Sequence, residues 1–266
     1  MRQYLDLLEK VLKQGVESEN RTGTNTLSLF GEKMEFNLEE GFPLLTTKML
    51  SFKNILTELI WFTKGTESAE YLNINGNTIW KEWEKNGMLY ETYGKQWRSF
   101  GDPDSELRVD QLARVIEQIK VNPTSRRLVI SAWNPMTVEQ ASLPPCHVMF
   151  QFSVSEGKLS CCLFQRSCDI FLGVPYNIAS YSLLTHIIAK LCGLKVGKFV
   201  WFGGNVHLYA NHIDAAKEQL GRQVGLYALP LITVDDSLQS IDELEIKHVS
   251  LIGYQAYPTI KAKVAV

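Results

Sequence analysis

The sequence predicts an α+β fold, with helices and β-strands mixed along the chain. Apolar residues recur at helical spacing in several stretches and alternate with polar residues in several others, and these two patterns are typical of helices and half-buried strands. A third observation is Glu156-Gly157, a turn signal between two strand-like runs that indicates a β-hairpin. Because we find neither repeats nor a linker, we expect a single domain over residues 1–266.

Composition excludes several functional classes. The chain has 266 residues, 45% of them hydrophobic, and a formal net charge of −2, so no global positive field favours nucleic acid or a membrane surface. An anionic small substrate is still allowed if arginines cluster locally. The five cysteines are odd in number and irregularly spaced, and the chain enters an amphipathic pattern at once, so a reducing cytoplasm is the expected location. No apolar run approaches the length of a membrane span.

The N-terminal part predicts a helix over 4–12, ended by Gly15, and paired strands over 27–31 and 33–38. Between them, the polar loop 19–26 carries Arg21 and several hydroxyl residues, which suit an oxyanion, although most such stretches are plain turns. Residues 52–62 predict a very apolar helix that contains Glu58. Either Glu58 faces solvent, or burial raises its pKa towards the range of a general acid or base near neutral pH.

The next segment brings aromatic residues and two adjacent arginines. Trp80 and Trp83 lie among charged neighbours, so a core position and a partly exposed stacking platform are both open. Tyr93 opens a compact cluster of donors and aromatics, and residues 109–121 predict an amphipathic helix. Arg126 and Arg127 precede an apolar strand over 128–133. They are either a solvated edge or anion ligands, in the same subunit or for a neighbouring one.

Cys146 stands at the most distinctive point of the sequence, directly after Pro144-Pro145 and before the alternating run 147–154. The two prolines fix φ and hold the chain extended, so Cys146 would sit at the rigid entry to a strand. That position suits a nucleophile, whereas the alternative is a small buried hydrophobic residue.

The return strand of the hairpin is predicted over 158–165, and Arg166, Ser167 and Asp169 follow at its far end. Asp169 beside Arg166 could be only a salt bridge. A loop over 171–175 leads to a helix over 178–191, for which Asn177 is the predicted N-cap.

The last third predicts a strand over 198–202 that ends at Gly203-Gly204, where backbone can approach a ligand closely. A helix over 206–220 then carries His207 and Tyr209 at its start, and 231–234 and 248–252 are late strands. The histidines and cysteines show no metal-ligand spacing, so we expect no metal.

Taken together, these motifs resemble those of thymidylate synthases over essentially the whole chain. Many of them occur in family order: Arg21-Thr22-Gly23-Thr24, Phe42-Pro43-Leu44, Thr46-Thr47-Lys48, Glu58-Leu59-Ile60-Trp61-Phe62, Tyr93-Gly94-Lys95-Gln96-Trp97-Arg98, Ser125-Arg126-Arg127, Pro145-Cys146-His147, Gln165-Arg166-Ser167-Cys168-Asp169, Asn177-Ile178-Ala179-Ser180-Tyr181 and His207-Leu208-Tyr209. The short segment between Trp83 and Val109 resembles the compact bacterial form. The resemblance implies a mixed β-sheet flanked by helices and a sheet-to-sheet homodimer.

The resemblance also implies a reaction, the methylation of C5 of dUMP by 5,10-methylenetetrahydrofolate, giving dTMP and dihydrofolate. Cys146 would be the covalent nucleophile, Arg166 would lower its pKa, and Glu58 and Tyr93 would move protons through water. Arg21, Arg166 and Ser167 would hold the phosphate, joined by Arg126 and Arg127 of the other subunit.

By the same resemblance, Asn177 would read uracil, and His207 and Tyr209 would bind the ribose 3′-hydroxyl. The implied folate contacts are Trp80, Trp83, Leu172, Gly173 and Asp169, of which Asp169 would hold the pterin beside the nucleotide. The C-terminal tail ending at Val266 would close over both ligands. No membrane and no nucleic acid is required.

Two positions depart from the family pattern: Asn205 stands where Asp is usual, and Lys263 where bacterial relatives have proline. These departures leave open a dUMP or dCMP hydroxymethylase, in which water replaces the hydride. A further alternative is an inactive relative that binds nucleotide, folate or RNA. The two tryptophans favour the synthase, because a packed folate site excludes water.

Overall fold

A mixed β-sheet with helices on it organises the protein, as a computed structural model shows for residues 1–20 and 23–264. The helices are α1 (Arg2–Gln14), α2 (Phe52–Lys64), α3 (Glu70–Ile74), α4 (Tyr93–Arg98), α5 (Gln111–Val121), α6 (Gly173–Leu191) and α7 (Ile213–Leu220). The strands are β1 (Val16–Ser18), β2 (Thr26–Asn37), β3 (Val129–Ser131), β4 (His147–Ser155), β5 (Lys158–Asp169), β6 (Lys195–Tyr209), β7 (Leu231–Val234) and β8 (Val249–Ile252).

Within the described ranges, the main sheet has six strands in the order β1-β2-β6-β5-β4-β3. Adjacent strands in this sheet pair antiparallel, except that β5 and β6 run parallel, so the sheet is mixed. The connection between these parallel strands contains α6, as parallel pairing requires a long crossover. A separate two-stranded antiparallel sheet pairs β7 with β8. The predicted α+β class and the mixed sheet are therefore confirmed.

The core lies between this sheet and α6. Most of α6 is buried, including Ile178, Leu184 and Ile187, as expected of a helix that is apolar on nearly all sides. Trp201 from β6 and Phe150 from β4 are also fully buried. α2 contacts both α6 and α4, which brings its buried Glu58 towards the same region as Tyr93 at the start of α4.

Several local predictions are confirmed. The helix predicted over 52–62 is α2, which begins after the N-cap Ser51 and ends at Gly65 in the left-handed conformation (φ 65°). The helix predicted over 109–121 is α5, with Asp110 as its N-cap. The hairpin at Glu156-Gly157 joins β4 to β5, and β5 continues as far as Asp169.

The residues predicted as strands over 27–31 and 33–38 are mainly β-structure, but their predicted pairing with each other is wrong. Residues 27–38 are not a hairpin of two strands but belong mainly to the single strand β2, which pairs with β1 and β6. Gly31 has φ 82°, so the backbone adjusts locally and the strand continues without turning back.

The prediction that a strand ends at Gly203-Gly204 is also wrong, since β6 runs through both glycines to Tyr209. A Cβ at Gly203 would lie 2.2 Å from the Trp201 ring, and one at Gly204 would lie 3.0 Å from the Arg166 carbonyl oxygen. The glycines therefore serve close packing inside the sheet. Consequently His207 and Tyr209 lie on a strand, and the helix predicted over 206–220 begins only at Ile213.

The expected loop over 171–175 and the N-cap role of Asn177 are wrong as well. α6 begins at Gly173 and its N-cap is Leu172, so Pro175 lies in the first helical turn, where its missing N–H breaks no hydrogen bond. Asn177 is thus inside the helix, and its side chain is available for another role.

Candidate active site

Cys146 lies half-buried immediately before β4, and both of its backbone polar groups are held. Its N–H donates to the Tyr93 hydroxyl oxygen at 2.8 Å, and its carbonyl accepts from the Arg166 N–H at 2.9 Å. The preceding prolines restrict the chain further. The structure therefore places Cys146 at a rigid strand entry, as the sequence predicted.

The Arg166 side chain lies against the segment that precedes Cys146. Its Nε donates to the Pro145 carbonyl and its Nη2 to the Pro144 carbonyl, each at 2.9 Å, and its guanidinium lies 5.3 Å from the centre of the Trp133 ring. A fixed cation beside a cysteine favours the thiolate. By contrast, burial raises the pKa of Cys168, whose Sγ donates to the Gln165 carbonyl oxygen, so that sulfur stays a thiol.

Tyr93 lies behind Cys146 and is almost fully buried. Its hydroxyl oxygen also accepts from the His147 N–H at 3.4 Å, and its ring stacks on the His147 ring with centres 4.5 Å apart. Burial, followed by negative charge at Cys146, holds the pKa of Tyr93 well above its ordinary value. Tyr93 therefore stays protonated and can donate its hydrogen, but it is not itself a base near neutral pH.

Glu58 is buried on α2, with 6% of its surface exposed. The Trp80 indole N–H donates to its Oε1 at 2.7 Å. Burial raises the pKa of Glu58 to about 7, an effect that the Trp80 hydrogen bond partly opposes. The alternative of a solvent-facing position is wrong, and Glu58 can both take up and release a proton near neutral pH.

The two candidate tryptophans differ in exposure. Trp80 is 6% exposed and packs among Trp61, Phe62 and Tyr93, with ring centres 5.6–6.2 Å apart. Trp83 is half-buried, and its ring centre lies 6.0 Å from that of Trp80. Trp80 is thus a core side chain that holds Glu58, while Trp83 keeps exposed aromatic surface.

Asn177 points from α6 towards β5, where Gln165 fixes the orientation of its amide. The Trp201 indole, which can only donate, donates to Gln165 Oε1 at 2.9 Å. Gln165 Nε2 must therefore face Asn177, and it donates to Asn177 Oδ1 at 3.0 Å. Sequence reasoning missed this role of Gln165 and Trp201, because only the pairing of β5 with β6 brings the two residues together.

His147 borders the same amide and is uncharged. Burial lowers the pKa of His147 to about 3, and an interaction with the Asn177 side chain opposes this shift only in part. Since His147 pairs with Gln165 across β4 and β5, Cys146 and the Asn177 amide lie in one region.

The parallel pair β5 and β6 brings four polar residues into two pairs that are two residues apart along the strands. Ser167 pairs with Asn205, and Asp169 pairs with His207. Tyr209 follows on β6, with its ring centre 5.2 Å from that of His207. The pairing of β5 with β6 therefore brings Asp169 close to His207, for which the sequence predicted a helix.

Asp169 caps the turn into α6, since its Oδ1 accepts from the Phe171 and Leu172 N–H groups at 3.0 Å each. Among the described residues it forms no ion pair with Arg166, whose guanidinium instead donates to the Pro144 and Pro145 carbonyls, so the salt-bridge alternative is wrong. Leu172 and Gly173 follow as half-buried residues, and they place apolar surface beside this carboxylate.

Arg126 and Arg127 are exposed and lie far from Cys146 in the same chain. Val129 pairs with Gln151, so the arginines extend towards Ser153 at the distal part of β4, roughly 20 Å from Cys146 at 3.3 Å per residue. Together with Arg114 they line a groove of about 560 Å³. The structure therefore does not bring these two arginines to the Cys146 region of their own chain.

Two predicted site residues, Arg21 and Val266, lie outside the described residues. In residues 1–20 and 23–264 we find no group of three or more histidine, cysteine or acidic side chains that could hold a metal ion. No helix in those ranges is both long and apolar enough to cross a bilayer.

Comparison with known families gives one match, which covers nearly the whole chain. Residues 2–266 match the family model described as thymidylate synthase.

Proposed function

The chain belongs to the thymidylate synthase family, and on this premise we propose that it converts dUMP to dTMP with 5,10-methylenetetrahydrofolate as the second substrate. The observation that carries the proposal is the environment of Cys146, a cysteine fixed through its backbone beside a guanidinium and a buried tyrosine. This is the arrangement of an activated sulfur nucleophile.

In the first step, the Cys146 thiolate adds to C6 of the uracil ring and forms an S–C6 bond. The electron pair of the C5–C6 double bond moves towards C5 and O4, so C5 becomes nucleophilic. A protonated Glu58, whose pKa is about 7, can supply a proton towards O4 through water and take one back later. Tyr93, held protonated by burial, orients a water for removal of the C5 proton.

Asn177 reads the uracil ring in this proposal. With Oδ1 turned towards Gln165, its amide hydrogens face the opposite direction and can donate to O4, while a second lone pair on Oδ1 accepts from N3–H. Cytosine presents the reverse pattern and would leave buried polar groups unpaired, which costs about 1–3 kcal/mol. Ser167 and Arg166, with Arg21, bind the phosphate, and His207 and Tyr209 bind the sugar.

The reduced folate supplies a one-carbon unit and a hydride when it is bound. Three side chains fit such a ligand: Trp83 and Leu172 keep apolar surface exposed, and Asp169 provides a carboxylate for N–H groups. A Cβ at Gly173 would have its nearest neighbours, Asn177 Oδ1 and Asp169 Cβ, at 3.7 and 3.8 Å, so Gly173 lies in van der Waals reach of two other proposed site residues. Trp80 is buried, and the sequence predicts that the C-terminal tail closes over both ligands and excludes water.

We further propose that two chains assemble through their sheets, each supplying Arg126 and Arg127 to the other's phosphate site. An apolar stripe formed by Met149, Phe164 and Phe202 supports this, because these residues pair across β4, β5 and β6 and are 37%, 42% and 40% exposed. Exposed apolar surface on adjacent strands is typical of an interface.

Replacement of the nucleophile tests the proposal. We expect Cys146→Ser to lower the rate of dTMP formation by at least about 10⁴-fold, because an alkoxide forms far less readily than a thiolate. Cys192→Ser, at the end of α6, serves as the control and should retain activity. Unchanged turnover in Cys146→Ser, or an inactive wild type, would show that the assignment is wrong.

A further inference from the structure

His207 has a defined hydrogen-bond partner at only one of its two ring nitrogens. Nδ1 lies 2.8 Å from Asn205 Oδ1, two residues earlier on the same strand, while Nε2 has no partner among the described residues. The backbone of Asn205 also hydrogen-bonds the ring, in the sense that favours protonation. Since an amide or carbonyl oxygen can only accept, Nδ1 carries the hydrogen.

The surroundings keep this ring neutral. Burial lowers the pKa of His207, and the negative charge of Asp169, its partner on β5, opposes this only in part. On the other side, β2 presents Ser28, which does not ionise near neutral pH. Tyr209, from β6 itself, contacts the ring edge to face at 5.2 Å. Asn205 contributes an oxygen without a charge, so no second carboxylate draws a proton onto the ring.

A neutral ring with hydrogen on Nδ1 has a lone pair on Nε2. We propose that Asn205 is a positioning residue that fixes His207 in this form, so that the site accepts nucleotides whose sugar hydroxyl donates a hydrogen bond and rejects those whose sugar cannot. The inference rests on the proposed function, in which His207 meets the 3′-hydroxyl. In this inference the 3′-hydroxyl donates to His207 Nε2, and Asn205 is the residue that sets this direction.

The consequence is a specificity determinant at the sugar. A hydroxyl can donate to Nε2, whereas a fluorine at the same carbon cannot donate and would leave the nitrogen unpaired. Loss of a hydrogen bond at a largely buried group costs about 1–3 kcal/mol. With an aspartate at position 205, the ring would gain a second hydrogen and become a donor at Nε2, and the discrimination would be lost.

The test uses full-length wild type and Asn205→Asp, with Asn86→Asp as a matched control because it introduces the same charge at an exposed turn. The first measurement is the ¹⁵N spectrum of the His207 ring in the ligand-free protein, assigned with a His207→Gln variant. We expect neutral His207 with hydrogen on Nδ1 in wild type and in the control at pH 7, and a doubly protonated ring in Asn205→Asp. Hydrogen on Nε2 in wild type, or an unchanged ring in Asn205→Asp, would overturn the proposal.

The second measurement is the binding of dUMP and of its 3′-fluoro-3′-deoxy analogue by calorimetry, without folate. Wild type and Asn86→Asp should prefer dUMP by about tenfold or more, and Asn205→Asp should lose most of this preference. Equal preference in all three proteins would overturn the inference even if dTMP is formed. If dUMP does not bind at all, the proposed function fails, while the ring spectrum still decides whether Asn205 sets the state of His207.

Discussion

At the scale of single residues, burial determines the chemistry of Glu58. The carboxyl has an ordinary pKa of 4.5 when exposed and a pKa of about 7 in the folded chain. Between these two pH values the folded chain binds more protons than the unfolded chain, so the free energy of unfolding falls as the pH rises through this window. Keeping Glu58 charged in the fold therefore costs about 3 kcal/mol above pH 7.

We expect Glu58→Gln to remove this cost, because the amide is neutral at every pH and still accepts from Trp80. Urea denaturation should show the variant to be about 3 kcal/mol more stable than wild type near pH 8 and about equally stable near pH 4.5. The exposed Glu82→Gln is the control and should show no such pH-dependent difference. A stability difference that does not change with pH would contradict the assigned pKa.

Two structural features of the proposed site could be predicted from the sequence because their signals are local. Two prolines before Cys146 and an apolar helix around Glu58 are visible in the sequence, and the structure confirms the rigid strand entry and the buried carboxyl. The contact between Tyr93 and the Cys146 backbone could not be predicted, because it joins residues from separate elements.

At the scale of elements, β5, β6 and α6 together orient the Asn177 amide, which reads the base in the proposed function. We expect Gln165→Glu to reverse that amide, since a carboxylate oxygen cannot donate to Asn177 Oδ1 and instead attracts the Asn177 amide hydrogens. The preference of the enzyme for dUMP over dCMP, measured as the ratio of kcat/KM values, should fall by about tenfold or more.

Two further variants complete this experiment. The exposed Gln223→Glu adds the same charge elsewhere and should keep the wild-type ratio. Asn177→Asp should shift preference towards dCMP directly, because its carboxyl can accept from the cytosine amino group. If Gln165→Glu leaves the ratio of kcat/KM values unchanged, Gln165 does not orient the Asn177 amide.

The errors of sequence prediction at this scale lie at two local signals for the end of an element. Gly203-Gly204 suggested the end of a strand, but β6 continues because the Trp201 ring and β5 fill the space that side chains would occupy. Likewise, Pro175 suggested a loop, although a proline fits the first turn of α6. At Gly203-Gly204, packing between elements therefore overrides the local signal, whereas Pro175 is compatible with both a loop and a first helical turn. The first error misplaced His207, and the second misplaced Asn177.

At the scale of the whole molecule, the proposed role of Arg127 requires a second chain, because Arg127 lies far from Cys146 in its own chain. We expect Phe164→Glu to disrupt the proposed sheet-to-sheet contact, because the carboxylate would be buried without a partner. Sedimentation should show monomers, and dTMP formation should fall by at least about 100-fold as the partner's arginines are lost.

Leu107→Glu is the control for this variant, since Leu107 is 82% exposed and lies outside the sheet. It should leave both assembly and activity unchanged, and circular dichroism should show that both variants are folded. A fully active Phe164→Glu monomer would mean that each chain completes its own phosphate site. The single-domain organisation and the cytoplasmic location stay predictions from the sequence.

Product analysis tests the central claim most directly. The protein is incubated with dUMP and 5,10-methylenetetrahydrofolate, and the nucleotide is analysed by mass spectrometry. The account predicts dTMP, heavier than dUMP by one CH₂ group, with dihydrofolate formed in equal amount. Recovery of 5-hydroxymethyl-dUMP as the main product, or of unchanged dUMP, would contradict it.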